Sequence, residues 1–137
     1  TVEPAIVFDE WCRPSVFHSD GQAVTPQRPA RREEVLMSMA ADLGETRPSV
    51  LPGQAFPASP LAQGTCPTQV RVDGHPVQVW VKIGWPGLVN RYRVDFRLPK
   101  KISPGMHSVE LTCHDAVGPA TAVAVKRFPS LLPRFMR

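Results

Sequence analysis

Cys113-His114-Asp115 places a thiol, an imidazole and a carboxylate side by side, the groups from which a thiol nucleophile, its base and an orienting acid are made. The chemistry would be acyl transfer. The flanking residues argue against it. Val109, Leu111 and Cys113 alternate with polar residues, the pattern of a half-buried strand. Neighbours in a strand face opposite sides, so Cys113 belongs with the core and His114 points away from it. A core or disulfide cysteine is the better reading. His18, His75, His107 and His114 are isolated, mostly near turns, and neither a CxxC nor a Cys/His ligand set for zinc occurs. Asp9, Glu10 and Asp20 offer oxygen ligands without the Asp-x-Asp-x-Asp-Gly spacing of a calcium loop. No two carboxylates stand out as a glycoside-hydrolysing pair. The expectation is a protein without enzymatic activity, cofactor or metal.

The cysteines Cys12, Cys66 and Cys113 are odd in number and widely spaced. One disulfide with one free thiol suits an oxidising compartment, with all three pairings open. Three reduced, buried thiols are the alternative, since cysteine packs well inside a core.

Binding chemistry is better represented. In "NRYRVDFRLPKKISPG", residues 90–105, Tyr92, Val94, Phe96 and Leu98 alternate with Arg91, Arg93, Asp95 and Arg97. With Lys82, Lys100 and Lys101 these arginines would cluster if strands over 77–83 and 90–98 pair. Asp95 interrupts the cluster and can pair with a cross-strand cation. The face is either the wet side of a sheet or a contact for an acidic partner or a membrane-adjacent anionic surface. Single-stranded nucleic acid would need aromatic residues interleaved with the cations, and Tyr92 and Phe96 point the other way. No nucleic-acid partner is expected. Trp80 lies among Gln78 and Lys82 on the outer side of its strand, Trp85 follows in "GWPG", and Trp11 sits in the N-terminal loop. An outward tryptophan is covered by a loop such as 43–66 or forms a contact patch, carbohydrate stacking included. The segment 128–137, "FPSLLPRFMR", sets Phe128, Leu131, Leu132, Phe135 and Met136 beside Arg134 and Arg137. Pro129 and Pro133 exclude a stable isolated helix, and docking on another protein subunit is the expected use.

Positioning these side chains falls to strands. Proline makes up 16 of 137 residues, about twice ordinary usage, which disfavours long helices and suits short strands with many turns. Apolar content of 42% allows a real core in a single domain. No apolar run approaches the ~20 residues of a membrane span, and a net charge of +4 is mild. The chain starts at Thr1 without a charged-then-apolar leader, as expected of a processed chain or a piece of a longer one. "TQVRVDGHPVQVWVKIG" reads as two alternating runs joined by Asp73-Gly74, a β-hairpin. "RYRVDFRLP", "GMHSVELTCHD" and "TAVAVKR" complete five strands in the C-terminal half, and "PAIVF" and the turn at Asp20-Gly21 mark the N-terminal ones. The pattern predicts an all-β immunoglobulin-like antiparallel sandwich over residues 1–127. Within it are N-terminal strands (1–42), a long Pro-rich loop (43–66) and the five-strand half (67–127), followed by the basic apolar tail (128–137). "REEVLMSMAADLG" is ambiguous, because its composition favours helix.

In order, "EPAIVF", "HSDGQAVTPQRPARREE", "VLMSMAADLG", "PGQAFPASPLAQGTCPTQVRVDGHPVQV" and "PGLVNRYRVDFRLPKKISPGMHSVELTC" resemble the uncharacterised C-terminal domain multiplied in Solibacter-type Acidobacteria, found at the ends of large secreted proteins. From Arg31 onward the chain also resembles the wider IPT/TIG immunoglobulin-like group. The resemblance extends to about Val125. It implies a strand over Val35 to Ala40, an immunoglobulin-like fold and export, and brings no catalytic residues. Ala41-Asp42 and "HDAVGPA" depart from the family pattern, and the tail has no counterpart in it. The chain is accordingly expected to be an exported binding module. It would be an accessory subunit on the periplasmic or outer face of a larger assembly, or else a surface adhesion or carbohydrate-binding module.

Overall fold

The computed structural model describes residues 4–10 and 12–126. Among them every helix-or-strand element is a strand. In chain order these are β1 (Ala5–Ile6), β2 (Val16–Phe17), β3 (Val35–Ala41), β4 (Thr46–Arg47), β5 (Gln63–Gly64), β6 (Thr68–Val72), β7 (His75–Val77), β8 (Val79–Gly84), β9 (Tyr92–Arg97), β10 (Gly105–Cys113), β11 (Ala116–Val117) and β12 (Thr121–Val125). They build two antiparallel sheets. One has seven strands in the order β1-β3-β9-β8-β5-β4, with β2 also on β3. The other has five in the order β11-β10-β6-β7, with β12 also on β10. Between them lies a core of Leu36, Val94 and Phe96 from one sheet and Val70, Val109 and Leu111 from the other. The chain is an all-β sandwich.

β3 forms despite its helix-favouring residues because its partners overrule local preference. It pairs with β9 along six residues, Val35↔Arg97 to Ala40↔Tyr92, and with β1 and β2 on its other side. Leu36, Ser38 and Ala40 are buried, and Ser38 satisfies its hydroxyl by donating to the Val94 carbonyl at 2.9 Å.

The Asp73-Gly74 hairpin forms as expected. Both residues have positive φ, 50° and 82°, as a two-residue type I′ turn requires. The run after it differs from expectation. Residues 77–83 are not one strand. The chain leaves the five-stranded sheet after Val77 and joins the seven-stranded sheet at Val79, so the C-terminal half holds more than five strands. Trp80 is then an extra residue: Val79 pairs with Phe96 and Val81 with Asp95, so two steps along β8 match one along β9. Such a β-bulge reverses the facing of everything that follows. Val81 and Ile83 turn outward opposite Asp95 and Arg93, while Lys82 turns inward opposite Val94. Lys82 therefore leaves the arginine cluster. Its stem lies against Gly64, its Nζ donates to the Cys66 carbonyl, and burial pushes its pKa down.

Residues 43–66 have structure of their own, since β4 pairs with β5 and β5 with β8. The long stretch between them is anchored by Phe56, whose N–H donates to the Leu88 carbonyl at 3.0 Å and whose carbonyl accepts from Gly87 at 2.9 Å. The Phe56 ring lies 5.1 Å from that of Tyr92. It also sits over Gly84, where any Cβ would fall 2.3 Å from the ring. Cys66, at the end of this segment, forms a disulfide with Cys113, their Cα atoms 5.7 Å apart, and Cys12 is free and exposed. Two sheet edges are short and proline-marked. β7 contains Pro76, and β4 runs into Pro48.

Two outcomes follow. Gly84→Ala should displace Phe56 and cost about 1–3 kcal/mol, read as a lower urea midpoint with an unchanged slope; an unchanged midpoint contradicts the seating of Phe56. Breaking the Cys66–Cys113 bridge, which closes 47 residues, should cost about 4 kcal/mol. Before reduction a thiol reagent should modify Cys12 alone, as peptide mapping would show.

Candidate functional site

The residues that looked most like catalysts are otherwise engaged. Cys113 is locked in the disulfide, and His114 stands exposed at a turn with φ 52°. A serine–histidine–carboxylate set does appear where sequence reading found only isolated histidines. His107 Nδ1 lies 2.5 Å from Asp73 Oδ2, and its Nε2 lies 3.5 Å from Ser103 Oγ. Nε2 is much closer to the Ser103 carbonyl, at 2.6 Å. Both ring nitrogens thus face acceptors and act as donors, which leaves Nε2 no lone pair for the serine proton. Burial disfavours the imidazolium, but Asp73 and the Ser103 carbonyl outweigh it and raise the His107 pKa above 6.5. The same bond to His107 is the main cause that lowers the Asp73 pKa below 3.8. The arrangement is a clamp between the β6–β7 turn and the β9–β10 loop. His18 makes a second one, with Nδ1 2.5 Å from Glu34 Oε2 and Nε2 3.0 Å from the Arg28 carbonyl. Among the described residues no group of three His, Cys, Asp or Glu side chains could hold a metal ion.

Of the predicted binding residues, Arg93 and Arg97 share the outer face of the seven-stranded sheet. β9 presents Arg93, Asp95 and Arg97 there, and Arg91 precedes them. Asp95 does not pair across strands as expected. Arg93 grips it along the same strand with Nε and Nη2 at 3.0 and 2.9 Å, and Asp95 is only 6% exposed. Residues two apart share a face, and the planar guanidinium spans them in a bidentate contact. Arg97 donates to the Glu33 carbonyl at 3.1 Å and has the Glu33 carboxylate at 3.6 Å. Arg91 donates to the Asn90 carbonyl. Two of the three arginines therefore already have acids, and the ridge carries less net charge than its sequence suggests.

On both sides of this ridge the face is apolar. β3 contributes Val35, Met37, Met39 and Ala41, all half-buried, and Phe17 of β2 pairs with Met37. β8 contributes half-buried Val81, while Ile83 on the same side is buried at 7% exposure. Trp80, raised on the bulge, is 54% exposed. Loop 43–66 does not cover it; the loop is anchored over Gly84 and Tyr92 instead. Trp85 is half-buried at the turn after β8, its N–H donating to the Arg91 carbonyl at 2.8 Å. Trp11, Phe128, Leu131, Leu132, Arg134, Phe135 and Met136 lie outside the described residues.

A cleft of about 690 Å³ opens at the end of the sandwich where β3 and β9 are joined by Asp42 and Asn90. Those two residues exchange hydrogen bonds at 3.1 and 2.7 Å. Tyr92 in its floor donates its hydroxyl to the Gly44 carbonyl at 2.5 Å, and burial together with Asp42 raises its pKa. Val50, Leu51 and Val89 add apolar wall.

No family profile, curated protein or solved structure matches the chain. The site is read from its own geometry.

Sequence reading missed Val35, Met37 and Met39 as outward residues. A signal was present, since "VLMSMAA" lacks the outer polar residues that a wet strand carries. The placement of Val81 and Ile83 had none, because nothing in their alternation announces a bulge.

The His107–Asp73 clamp gives a pH prediction. A raised histidine pKa adds stability that is complete below 6.5 and fades as pH rises through the folded value. A lowered aspartate pKa adds stability complete above 3.8 and lost below it. The contribution should be full between those limits. Asp73→Asn keeps a residue suited to the turn and should flatten the fall in urea midpoint from pH 6.5 to 8.5. Parallel profiles for the two proteins contradict the clamp.

Proposed function

We propose that this chain is a non-enzymatic binding module of an exported protein, an accessory subunit that docks on the extracytoplasmic face of a larger assembly. The contact is the outer face of the seven-stranded sheet. The observation that carries the reading is the outer row of β3, Val35, Met37, Met39 and Ala41, which holds no polar side chain. Contiguous apolar surface of this kind marks an interaction site, and methionine adapts its shape to a partner. Because Asp95 and Glu33 accompany Arg93 and Arg97, an apolar protein surface fits better than an anionic membrane. The buried disulfide is at home in an oxidising compartment. The resemblance to C-terminal domains of secreted proteins, with an immunoglobulin-like sandwich, points the same way. Residues 128–137 provide a second contact element.

A second reading, a surface adhesion or carbohydrate-binding module, draws on Trp80, an exposed indole on a rigid strand suited to stacking on a sugar ring.

Native mass spectrometry of gently extracted material tests the first reading. The expected result is a mass well above 15.1 kDa with defined companion subunits. These should be lost from the Met37→Glu/Met39→Glu double variant, with its unfolding free energy in urea within about 1 kcal/mol of the parent. A lone monomer, or companions other than a second copy of this chain retained by the double variant, overturns it. Glycan-dependent tryptophan fluorescence that vanishes in Trp80→Ala would establish the second reading instead.

A further inference from the structure

We propose that the cleft at Asp42 and Glu45 receives residues 127–137 of a second copy of this chain, so that copies join head to tail. The inference rests on the reading of the chain as a docking module and identifies one of its companions.

The cleft is acidic in a basic chain. Its lining holds two carboxylates, Asp42 and Glu45, and no lysine, arginine or histidine, in a chain whose net charge is +4. Between the carboxylates and the Phe56–Tyr92 floor the wall is apolar, and Leu51 at its rim is 74% exposed. An occupant that matches must be apolar, must carry positive charge and must carry no acid. The sequence 127–137, "RFPSLLPRFMR", meets all three conditions. It has Arg127, Arg134 and Arg137, no Asp or Glu, and the large apolar residues Phe128, Leu131, Leu132, Phe135 and Met136. Pro129 and Pro133 restrict its backbone, which lowers the entropy lost on docking.

Position favours a neighbour's cleft over the chain's own. Lys126, the residue before this segment, donates its N–H to the Ala30 carbonyl at 2.6 Å and lines a surface depression with Glu33 and Glu34. That is the end of the sandwich where β3 begins. The cleft starts at Asp42, just past the other end of β3. Spanning Glu34 to Asp42 along a strand takes roughly 26 Å, whereas the eleven residues 127–137 reach at most about 40 Å. Seated in its own cleft, the segment would spend most of its apolar residues on the journey. Seated in a neighbour's, it can offer Phe128 to Met136 together. The contact joins two different surfaces, so it generates a ring or an open row of copies rather than a two-fold dimer.

Sedimentation velocity of the full chain across a range of concentrations tests this. The expected result is reversible, concentration-dependent association that weakens with salt. Glu45→Arg alone, and Arg134→Glu/Arg137→Glu alone, should each weaken it about ten-fold or more, and the three changes combined should restore it. A chain monomeric at every concentration overturns the proposal, as does association indifferent to Glu45→Arg. Either failure leaves the sheet face to be judged separately, by whether Met37→Glu/Met39→Glu sheds foreign companions.

Discussion

The one residue that β8 carries in excess of β9 governs the layout of this molecule. Trp80 bulges out because the chain changes sheets at Gln78 and must be re-aimed as it joins the seven-stranded sheet. Past the bulge, inward and outward positions exchange. Lys82 comes to the inner side and caps the Cys66 carbonyl beside the disulfide. Gly84 comes to the inner side as well, and its missing side chain is the space in which Phe56 rests. Val81 and Ile83 go to the outer side, where Val81 is half-buried beside the arginine ridge and Ile83 is covered. Core, loop anchor and outer face depend together on that one insertion.

Much of this was legible in the residues themselves. The alternation of Tyr92, Val94 and Phe96 with Arg93, Asp95 and Arg97 describes β9 correctly in its facing, and polarity agrees with burial at every position except Asp95, which lies on the outer side yet is buried under the Arg93 contact. Asp73-Gly74 announces its hairpin, since few other pairs adopt two positive φ angles so readily. The burial of Cys113 followed from its place in the same alternation as Leu111. What stayed hidden depends on contacts between distant segments. The alternation from Val77 to Ile83 is unbroken in sequence, yet the structure breaks it, because the crossing between sheets is a property of both sheets. The choice of Cys66 over Cys12 likewise depends on where the Pro-rich segment ends relative to β10. His107 looked isolated because its partners, Asp73 and Ser103, lie on two different turns.

The electrostatics also look different once the side chains are placed. A sequence with a net charge of +4 and an Arg-x-Arg-x-Asp-x-Arg ridge suggests an outward positive field. In the folded chain Asp95, nearly buried, is held by Arg93 in a two-point contact, and Glu33 accompanies Arg97. Burying Asp95 carries a desolvation cost that its partner offsets only when the geometry is good. Such a pair contributes little to overall stability. Its effect is to hold the Arg93 guanidinium along the strand. Lys100, Lys101 and Lys126 remain at exposed positions.

The prolines at the sheet margins have a further consequence. β4 and β7 are outermost strands of two and three residues, one followed by Pro48 and the other containing Pro76. A strand margin of this kind lacks the continuous row of N–H donors on which a stranger's backbone could template itself. These margins therefore resist runaway cross-β growth even where many such domains are crowded together. Along these two edges a neighbour meets side chains rather than a free row of backbone donors.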